Sequence, residues 1–230
     1  MSIAIEVDSL SKKYRLGEYQ AATDLLARNC RDVYTWFDTQ HEYAVAATIS
    51  LANCLVATND LVSASRKVRE ALEICTEIFG PEHVLTMAAT VSTASVSRAM
   101  GEYRSARRSD ERAAATLAAT LGPNHPSTLA ASHNLAVDLA LLGETRPALE
   151  RGSDVLQRGQ GSQDPTHPDS LVTAINVALL KARIRDSVVA SAQFEAHLAS
   201  YRSLVRPDHP RITAAQSGTL LELDIEVPPS

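Results

Sequence analysis

Stretches that are almost free of charge alternate along the chain with stretches that carry many charges. The first kind, called A helices here, is predicted over 42–58, 84–100, 126–142 and 168–184, and the four together contain six charged residues. The second kind, the B helices, is predicted over 18–36, 60–79, 102–120, 144–159 and 186–204. The B stretch 102–112 alone contains seven charged residues. Because a helix without charge is buried and one with a polar face lies outside, we expect A helices to form an inner wall and B helices an outer one.

A constant interval of 42 residues relates these pairs to one another. Histidine recurs at this interval, as His41, His83, His125, His167 and His209. Two rows of alanine do the same, Ala22, Ala64, Ala106, Ala148 and Ala190 in the B helices and Ala52, Ala94, Ala136 and Ala178 in the A helices. Such small side chains let helix axes approach to about 8–10 Å. Because a period near ~40 residues is typical of stacked helical repeats, the pattern predicts an all-α, right-handed solenoid of about five helix pairs.

We predict one array over residues 1–230, because each unit of a solenoid contacts its neighbours and forms a continuous body with them. The predicted repeat units are 1–37, 38–79, 80–121, 122–163 and 164–205, followed by a capping helix and tail over 206–230. Residues 1–16 occupy the place of an A helix in the first unit, but the histidine turn is missing there. The capping helix is predicted over 210–223, as an A helix without a partner.

The residues around each histidine predict where the helices begin and end. Asn124, Thr166 and Asp208 directly precede a histidine and are good N-caps, and prolines nearby fit the first helical turn. The A helices are predicted to end in turns at Asn59-Asp60, Gly101-Glu102, Gly143-Glu144 and Arg185-Asp186, with Gly17-Glu18 in the same place one repeat earlier. Gly and Asn suit the left-handed conformation that ends a helix.

Composition and charge narrow the classes of partner. The net charge of -5 and the aromatic content of 4% argue against nucleic acid, which needs a basic surface and rings for stacking. No apolar run reaches the ~20 residues of a membrane span, and no signal peptide precedes the repeats, so neither a membrane nor export is expected. The three cysteines, Cys30, Cys54 and Cys75, indicate reduced thiols in a cytoplasmic protein.

Residues 121–150, LGPNHPSTLAASHNLAVDLALLGETRPALE, resemble a tetratricopeptide repeat of the long, kinesin-light-chain type. The small residue in helix A, the glycine at the turn and the alanine in helix B fall where that family has them, and the resemblance covers 17–223. It implies a fold that binds a protein or peptide in a concave groove.

A narrower resemblance is to the repeat region of actinobacterial FxSxx-COOH-system proteins, whose larger relatives carry an NB-ARC module. The stretches that support it are HEYAVAATISLANCL (41–55), FGPEHVLTMAA (79–89) and LELDIEVPPS (221–230). No GxxxxGK[ST] loop occurs, so nucleotide hydrolysis does not transfer. The resemblance implies protein contacts in a signalling or peptide-maturation system.

Candidate binding residues lie nine positions after the histidines, at Ser50, Ser92, Asn134 and Asn176. The family resemblance implies that an asparagine here hydrogen-bonds the backbone of a bound peptide, a role that carries over to Asn134 and Asn176. The two serines depart from the family pattern. Helical spacing adds further candidates to the same wall, namely Asn53, Ser95, Arg98, His133 and Arg183.

Neither a metal site nor an enzyme is expected. Histidines one repeat apart lie ~10 Å apart, whereas zinc–nitrogen bonds are ~2 Å, so we expect the histidines to pack and hydrogen-bond at the turns. No catalytic motif occurs, and no cofactor is implied.

The sequence therefore predicts a non-catalytic scaffold that binds a protein or peptide in its groove. Two alternatives remain open at this stage. One is a regulatory sensor, in which a bound peptide shifts the pitch of the solenoid. The other is a self-assembly module, in which residues 1–16 dock on a second copy to form a homo-oligomer.

Overall fold

The computed structural model describes residues 19–36, 38, 40–159, 164–184 and 188–225. Within these ranges all regular secondary structure is helical, which confirms the all-α fold class. The chain divides into two compact units, one ending at Glu102 and one spanning Tyr103–Ile225. The single array over 1–230 stays a prediction, and so do the inner and outer walls.

The first unit contains four described helices that follow the A and B alternation. They are α1 (Tyr19–Trp36), α2 (Glu42–Ala57), α3 (Leu61–Ile78) and α4 (Val84–Ala99). Helix α2 packs on α1, α3 and α4, and α3 packs on α4. One apolar cluster joins the recurring Ala52 and Ala64 to Val68 and Val96. Both alanines are 0% exposed, as the close approach of helices requires.

The second unit contains six described helices. They are α5 (Tyr103–Leu121), α6 (Pro126–Leu141), α7 (Thr145–Gly159), α8 (Pro168–Ile184), α9 (Val188–Arg202) and α10 (Pro210–Gln216). Each helix packs on the next, and α6 also contacts α8. The ends of α1 to α9 lie within two residues of the prediction, the usual uncertainty of a helix boundary.

Helices of the A kind are more buried than those of the B kind, as their charge content predicts. In α6 every residue from Ser127 to Ala140 is buried, whereas α5 buries five residues along one face. The recurring Ala148 is 0% exposed and packs in a cluster with Val137 of α6 and Leu180 of α8. This burial places the polar groups of α6 in the interior, where each needs a partner.

The histidines themselves cap the A helices, which corrects the prediction for Asn124 and Asp208. His125 is the N-cap of α6 and His209 that of α10. The ring nitrogen Nδ1 of His125 accepts from the Ser127 N–H at 3.2 Å, and His41, His83 and His167 make the equivalent bond. An unprotonated imidazole nitrogen replaces the side-chain oxygen that usually fills this place. Asn124 and Asp208 therefore stand one position too early, and Thr166 makes its own bond to Asp164.

The predicted turns at Asn59, Gly101 and Gly143 are confirmed. All three residues have positive φ, at 63°, 80° and 85°, and the chain closes each helix through the amide that follows, as in Glu144 N–H to the Leu139 carbonyl at 2.8 Å. This is the left-handed cap at which Gly and Asn are favoured. The turns predicted at 185–186 and 17–18, the partial helix 1–16 and the tail after Ile225 lie outside the described residues.

The predicted capping helix over 210–223 is wrong in its second half. Helix α10 ends at Gln216, and Gly218 follows with a φ of 79°. Residues 219–225 are then non-helical, and Leu220, Leu221, Leu223 and Ile225 are buried. We call residues 219–225 the terminal segment. In the described part of the chain no helix is long and apolar enough to span a membrane.

Candidate functional site

The terminal segment is held in the second unit by polar side chains of α6 and α8. Four of the residues singled out from the sequence, His133, Asn134, Asn176 and Arg183, contact the backbone between Gly218 and Leu223. They lie on A helices that are buried along most of their length. Three of the four, His133, Asn134 and Asn176, are buried, so polar groups gather here in the interior of the unit.

Asn134 holds Leu223 through two hydrogen bonds. Its side-chain nitrogen Nδ2 donates to the Leu223 carbonyl oxygen at 2.7 Å, and the Leu223 N–H donates to Asn134 Oδ1 at 2.9 Å. Both bonds are buried, and Asn134 is 0% exposed. The side-chain amide thus satisfies both backbone groups of one residue, as a neighbouring strand would.

Asn176, one repeat later, holds Leu221 in the same way. Its Nδ2 donates to the Leu221 carbonyl oxygen at 2.8 Å, and the Leu221 N–H donates to Asn176 Oδ1 at 2.9 Å. Two asparagines 42 positions apart in sequence therefore bind residues two positions apart in the terminal segment. We call Asn134 and Asn176 the asparagine pair.

His133 completes the contacts of the Leu221 carbonyl. Its Nε2 lies 2.8 Å from that oxygen, and its Nδ1 lies 3.0 Å from Thr173 Oγ1. Because a carbonyl oxygen only accepts, the proton of the ring lies on Nε2. The one proton of the Thr173 hydroxyl faces two acceptors, His133 Nδ1 at 3.0 Å and the Asp169 carbonyl oxygen of its own helix at 2.9 Å. Asn176 Nδ2, at 3.2 Å from Nε2, is then a neighbouring donor and not a partner of that nitrogen. The Leu221 carbonyl accepts from His133 and Asn176 together, which fills both of its lone pairs.

Two arginines contact the ends of the segment. Arg183 of α8 donates from a terminal guanidinium nitrogen to the Gly218 carbonyl at 2.6 Å. Arg211 of α10 lies with its guanidinium 3.6 Å from the Asp224 carboxylate, and both side chains are partly exposed. The first contact fixes the turn that leads into the segment, and the second is a weak, solvent-screened ion pair at its far end.

A cleft opens beside the Leu223 side chain between three helices. Its wall consists of Pro126, Leu129, Ala130, Val155, Leu156, Gly159, Asp169, Ser170, Thr173 and Leu223. Leu223 itself is 5% exposed. The Leu223 side chain therefore lies beside a small cleft whose wall has both apolar and polar parts.

The other five candidate residues lie in the first unit. Ser50 of α2 is exposed and its hydroxyl donates to the Ala46 carbonyl of its own helix, and Asn53 is half-buried. On α4, Ser92 and Arg98 are buried and Ser95 is half-buried. Their part in a binding groove stays a prediction.

Sequence reasoning missed the terminal segment, Thr173 and the pairing of Arg211 with Asp224. The strand-like alternation of Leu221, Leu223 and Ile225 with Glu222 and Asp224 was available as a signal, since a period of two indicates extended backbone. The family pattern extended a helix over it instead. In the described ranges no group of three or more His, Cys, Asp or Glu side chains could hold a metal ion.

Comparison with protein-family models matches residues 87–160 to the tetratricopeptide repeat. The sequence matches none of the curated proteins. Among solved structures, the fold resembles the nearly identical TPR-like repeats of a kinesin light chain from Podosopora anserina, with a TM-score of 0.64 and 21% identity over 88% of this chain and 95% of that one.

Two further solved structures are also similar. BtubC (BKLC) from P. vanneervenii aligns with a TM-score of 0.60 and 17% identity over 96% of this chain and 83% of that one. A Rap protein complexed with Competence and Sporulation Factor aligns with a TM-score of 0.72 and 11% identity over 92% of this chain and 63% of that one. At these identities the likeness concerns the fold, which is that of kinesin-light-chain-like tetratricopeptide repeats.

Proposed function

We propose that the chain is a non-catalytic scaffold that binds an extended segment of a protein or peptide on the surface formed by α6 and α8. The observation that carries this proposal is the asparagine pair, in which each side chain forms two hydrogen bonds with one backbone residue. Bonds to N–H and C=O groups recognise extended backbone whatever its side chains are. The terminal segment supplies an example of such a ligand within the chain.

The burial of the pair supports a binding role. Asn134 is 0% exposed and Asn176 is 4% exposed with the segment in place. A buried amide without a partner is unfavourable by about 1–3 kcal/mol. The surface around the asparagine pair therefore favours any extended chain whose backbone forms hydrogen bonds with these two amides. The Rap protein found in complex with Competence and Sporulation Factor shows a related fold with a bound molecule, and we extend that use to this chain as part of the proposal.

The second part of the proposal concerns the cellular system in which the chain acts. The resemblance of 41–55, 79–89 and 221–230 to actinobacterial FxSxx-COOH-system repeats favours a bacterial signalling or peptide-maturation system in the cytoplasm. For the first unit we propose Ser50, Asn53, Ser92, Ser95 and Arg98 as binding residues on its own A helices, α2 and α4.

The test needs a chain in which the surface is open. In the chain of 230 residues, Leu221→Ser with Leu223→Ser removes two buried apolar side chains and weakens the docking of the segment; we call this the released-tail variant. A matched control replaces two leucines that are 40% and 45% exposed, Leu141→Ser with Leu204→Ser. Circular dichroism should show the same helix content in both.

A displayed library of random peptides is then selected on the released-tail variant. We expect peptides to be enriched on it, and the enrichment to be lost when Asn134→Ala and Asn176→Ala are added. A library that enriches equally on both forms, or on neither form while the helices remain, would refute binding by the asparagine pair.

A further inference from the structure

The side chains of the terminal segment also indicate which ligands the surface prefers. This inference rests on the proposed function and adds the chemistry of the ligand. The main-chain hydrogen bonds at Leu221 and Leu223 fix an extended backbone, because the N–H and C=O groups of residues two positions apart point to the same side of an extended chain. The side chains between and around these bonds then decide which sequence fits.

Four of the seven side chains in the segment are buried. Leu220, Leu221, Leu223 and Ile225 are 8%, 4%, 5% and 8% exposed. Leu220 packs in the apolar cluster that contains Val137 and Leu180. Thr219 is exposed, and Glu222 and Asp224 are half-buried. The surface therefore selects apolar side chains at these four places and accepts polar ones at the other three.

The cleft beside Leu223 adds a size preference. Leu129, Val155 and Leu156 form the apolar part of its wall, polar residues of α8 form another part, and Gly159 leaves one side without a side chain. A larger apolar side chain at the place of Leu223 would contact more of this wall and bury more area. Leucine is thus an adequate occupant here, and phenylalanine is a better one.

A carboxylate at the place of Asp224 adds a weak preference for charge. The Arg211 guanidinium lies 3.6 Å from it, with side chains 23% and 29% exposed. Partly exposed pairs of this kind add little affinity but discriminate against a positive charge.

We infer that the ligand of the surface formed by α6 and α8 is an extended segment with the pattern of residues 220–225, and that the chain's own terminal segment competes with it. The ligand has aliphatic side chains at the places of Leu220, Leu221 and Ile225. It has a large apolar side chain at the place of Leu223 and an acidic one at the place of Asp224. Attachment gives the terminal segment an effective concentration in the range of ~1 mM. A partner that makes the same contacts as the terminal segment therefore binds weakly. Tight binding requires either side chains that fit the surface better or release of the terminal segment.

The inference is tested with a fluorescein-labelled peptide of residues 218–225, GTLLELDI, with blocked ends. Its binding is measured by fluorescence anisotropy on the wild-type chain, the released-tail variant and the Leu141→Ser/Leu204→Ser control. We expect the released-tail variant to bind it at least about 10-fold more tightly than the other two, since these keep their internal competitor.

Altered peptides then test the side-chain pattern on the released-tail variant. Relative to GTLLELDI, we expect the Leu223→Ser peptide to bind about 10-fold more weakly and the Leu223→Phe peptide about 3-fold more tightly. The Asp224→Lys peptide should bind about 3-fold more weakly or worse. Equal affinity of all four peptides would overturn the inference.

The outcomes separate this inference from the function on which it rests. If the random library yields peptides that depend on the asparagine pair but GTLLELDI and its Phe form do not bind, the proposed function stands and the ligand pattern is wrong. If no peptide binds in either experiment, both fall. If the wild type binds GTLLELDI as tightly as the released-tail variant does, the competition by the terminal segment is refuted.

Discussion

Asn134 and Leu223 are 89 positions apart in sequence and are joined by two buried hydrogen bonds of 2.7 and 2.9 Å. The bonds tie the last described residues of the chain to the middle of α6, a helix whose residues from Ser127 to Ala140 are all buried. A polar side chain in that position is unfavourable unless it is bonded. The contact therefore links the stability of the second unit to the occupancy of its binding surface.

Removing one member of the asparagine pair should destabilise the second unit. In Asn134→Ala, the Leu223 N–H and C=O either remain buried without partners or leave the surface with the segment. Either result should lower the free energy of unfolding by about 1–3 kcal/mol, measured by urea denaturation. Asn53→Ala, at a half-buried site in the first unit, is the control for the loss of an amide and should have a smaller effect.

The histidine caps should contribute to stability through their acceptor nitrogen. In His125→Ala the Ser127 N–H loses its partner, and we expect the free energy of unfolding to fall by about 1 kcal/mol. His125→Asp restores an acceptor in the same place and should recover most of the loss. Thermal denaturation of the three proteins at neutral pH compares them, and equal midpoints for His125→Ala and the wild type would contradict the role of His125.

The recurring alanines should not accept larger side chains. Ala148 of α7 is 0% exposed and packs in one cluster with residues of α6 and α8. We therefore expect Ala148→Leu to overpack this contact and to lower the free energy of unfolding by about 1–3 kcal/mol. Ala115→Leu, at an exposed position of α5, introduces the same side chain where there is room. A small effect of Ala148→Leu in chemical denaturation would mean that the helices adjust their spacing.

Two of the cysteines should be unreactive while the protein is folded. Burial raises the pKa of Cys30 to about 11 and that of Cys75 to about 12, so both remain thiols at pH 8, and the thiolate is the reactive form. We expect Ellman's reagent to modify them slowly at pH 8 until a denaturant is added. As the pH rises above the unfolded-state pKa, the unfolded chain ionises first, and native stability should fall. Rapid labelling of the native protein at pH 8 would contradict this burial.

Much of the fold could be predicted from the sequence because the repeat supplies the same information several times. The alanine rows, the charge difference between helices and the glycine turns all recur at 42 residues, so the ends of α1 to α9 were predictable to within two residues. The caps were misplaced by one position because a histidine nitrogen is a rarer acceptor than an asparagine or aspartate oxygen.

The site could be predicted only in part. Asn134, Asn176, His133 and Arg183 were candidates from their spacing, and the structure brings these four together. Their occupant could not be predicted, because a contact across 89 positions leaves no local trace. The repeat favoured a continuous A helix to residue 223, whereas Gly218 ends it, and the period of two that follows matches the buried extended backbone.

Hydrogen exchange of the Leu221 and Leu223 amides tests the central claim most directly, because these two N–H groups donate to Asn176 and Asn134. The measurement compares the wild type with a chain carrying Asn134→Ala and Asn176→Ala, using the amides of α4 as an internal reference. We expect strong protection of both leucine amides in the wild type, loss of this protection in the variant, and unchanged exchange in α4. Exchange of Leu221 and Leu223 in the wild type at the rate of an unstructured peptide would contradict the account.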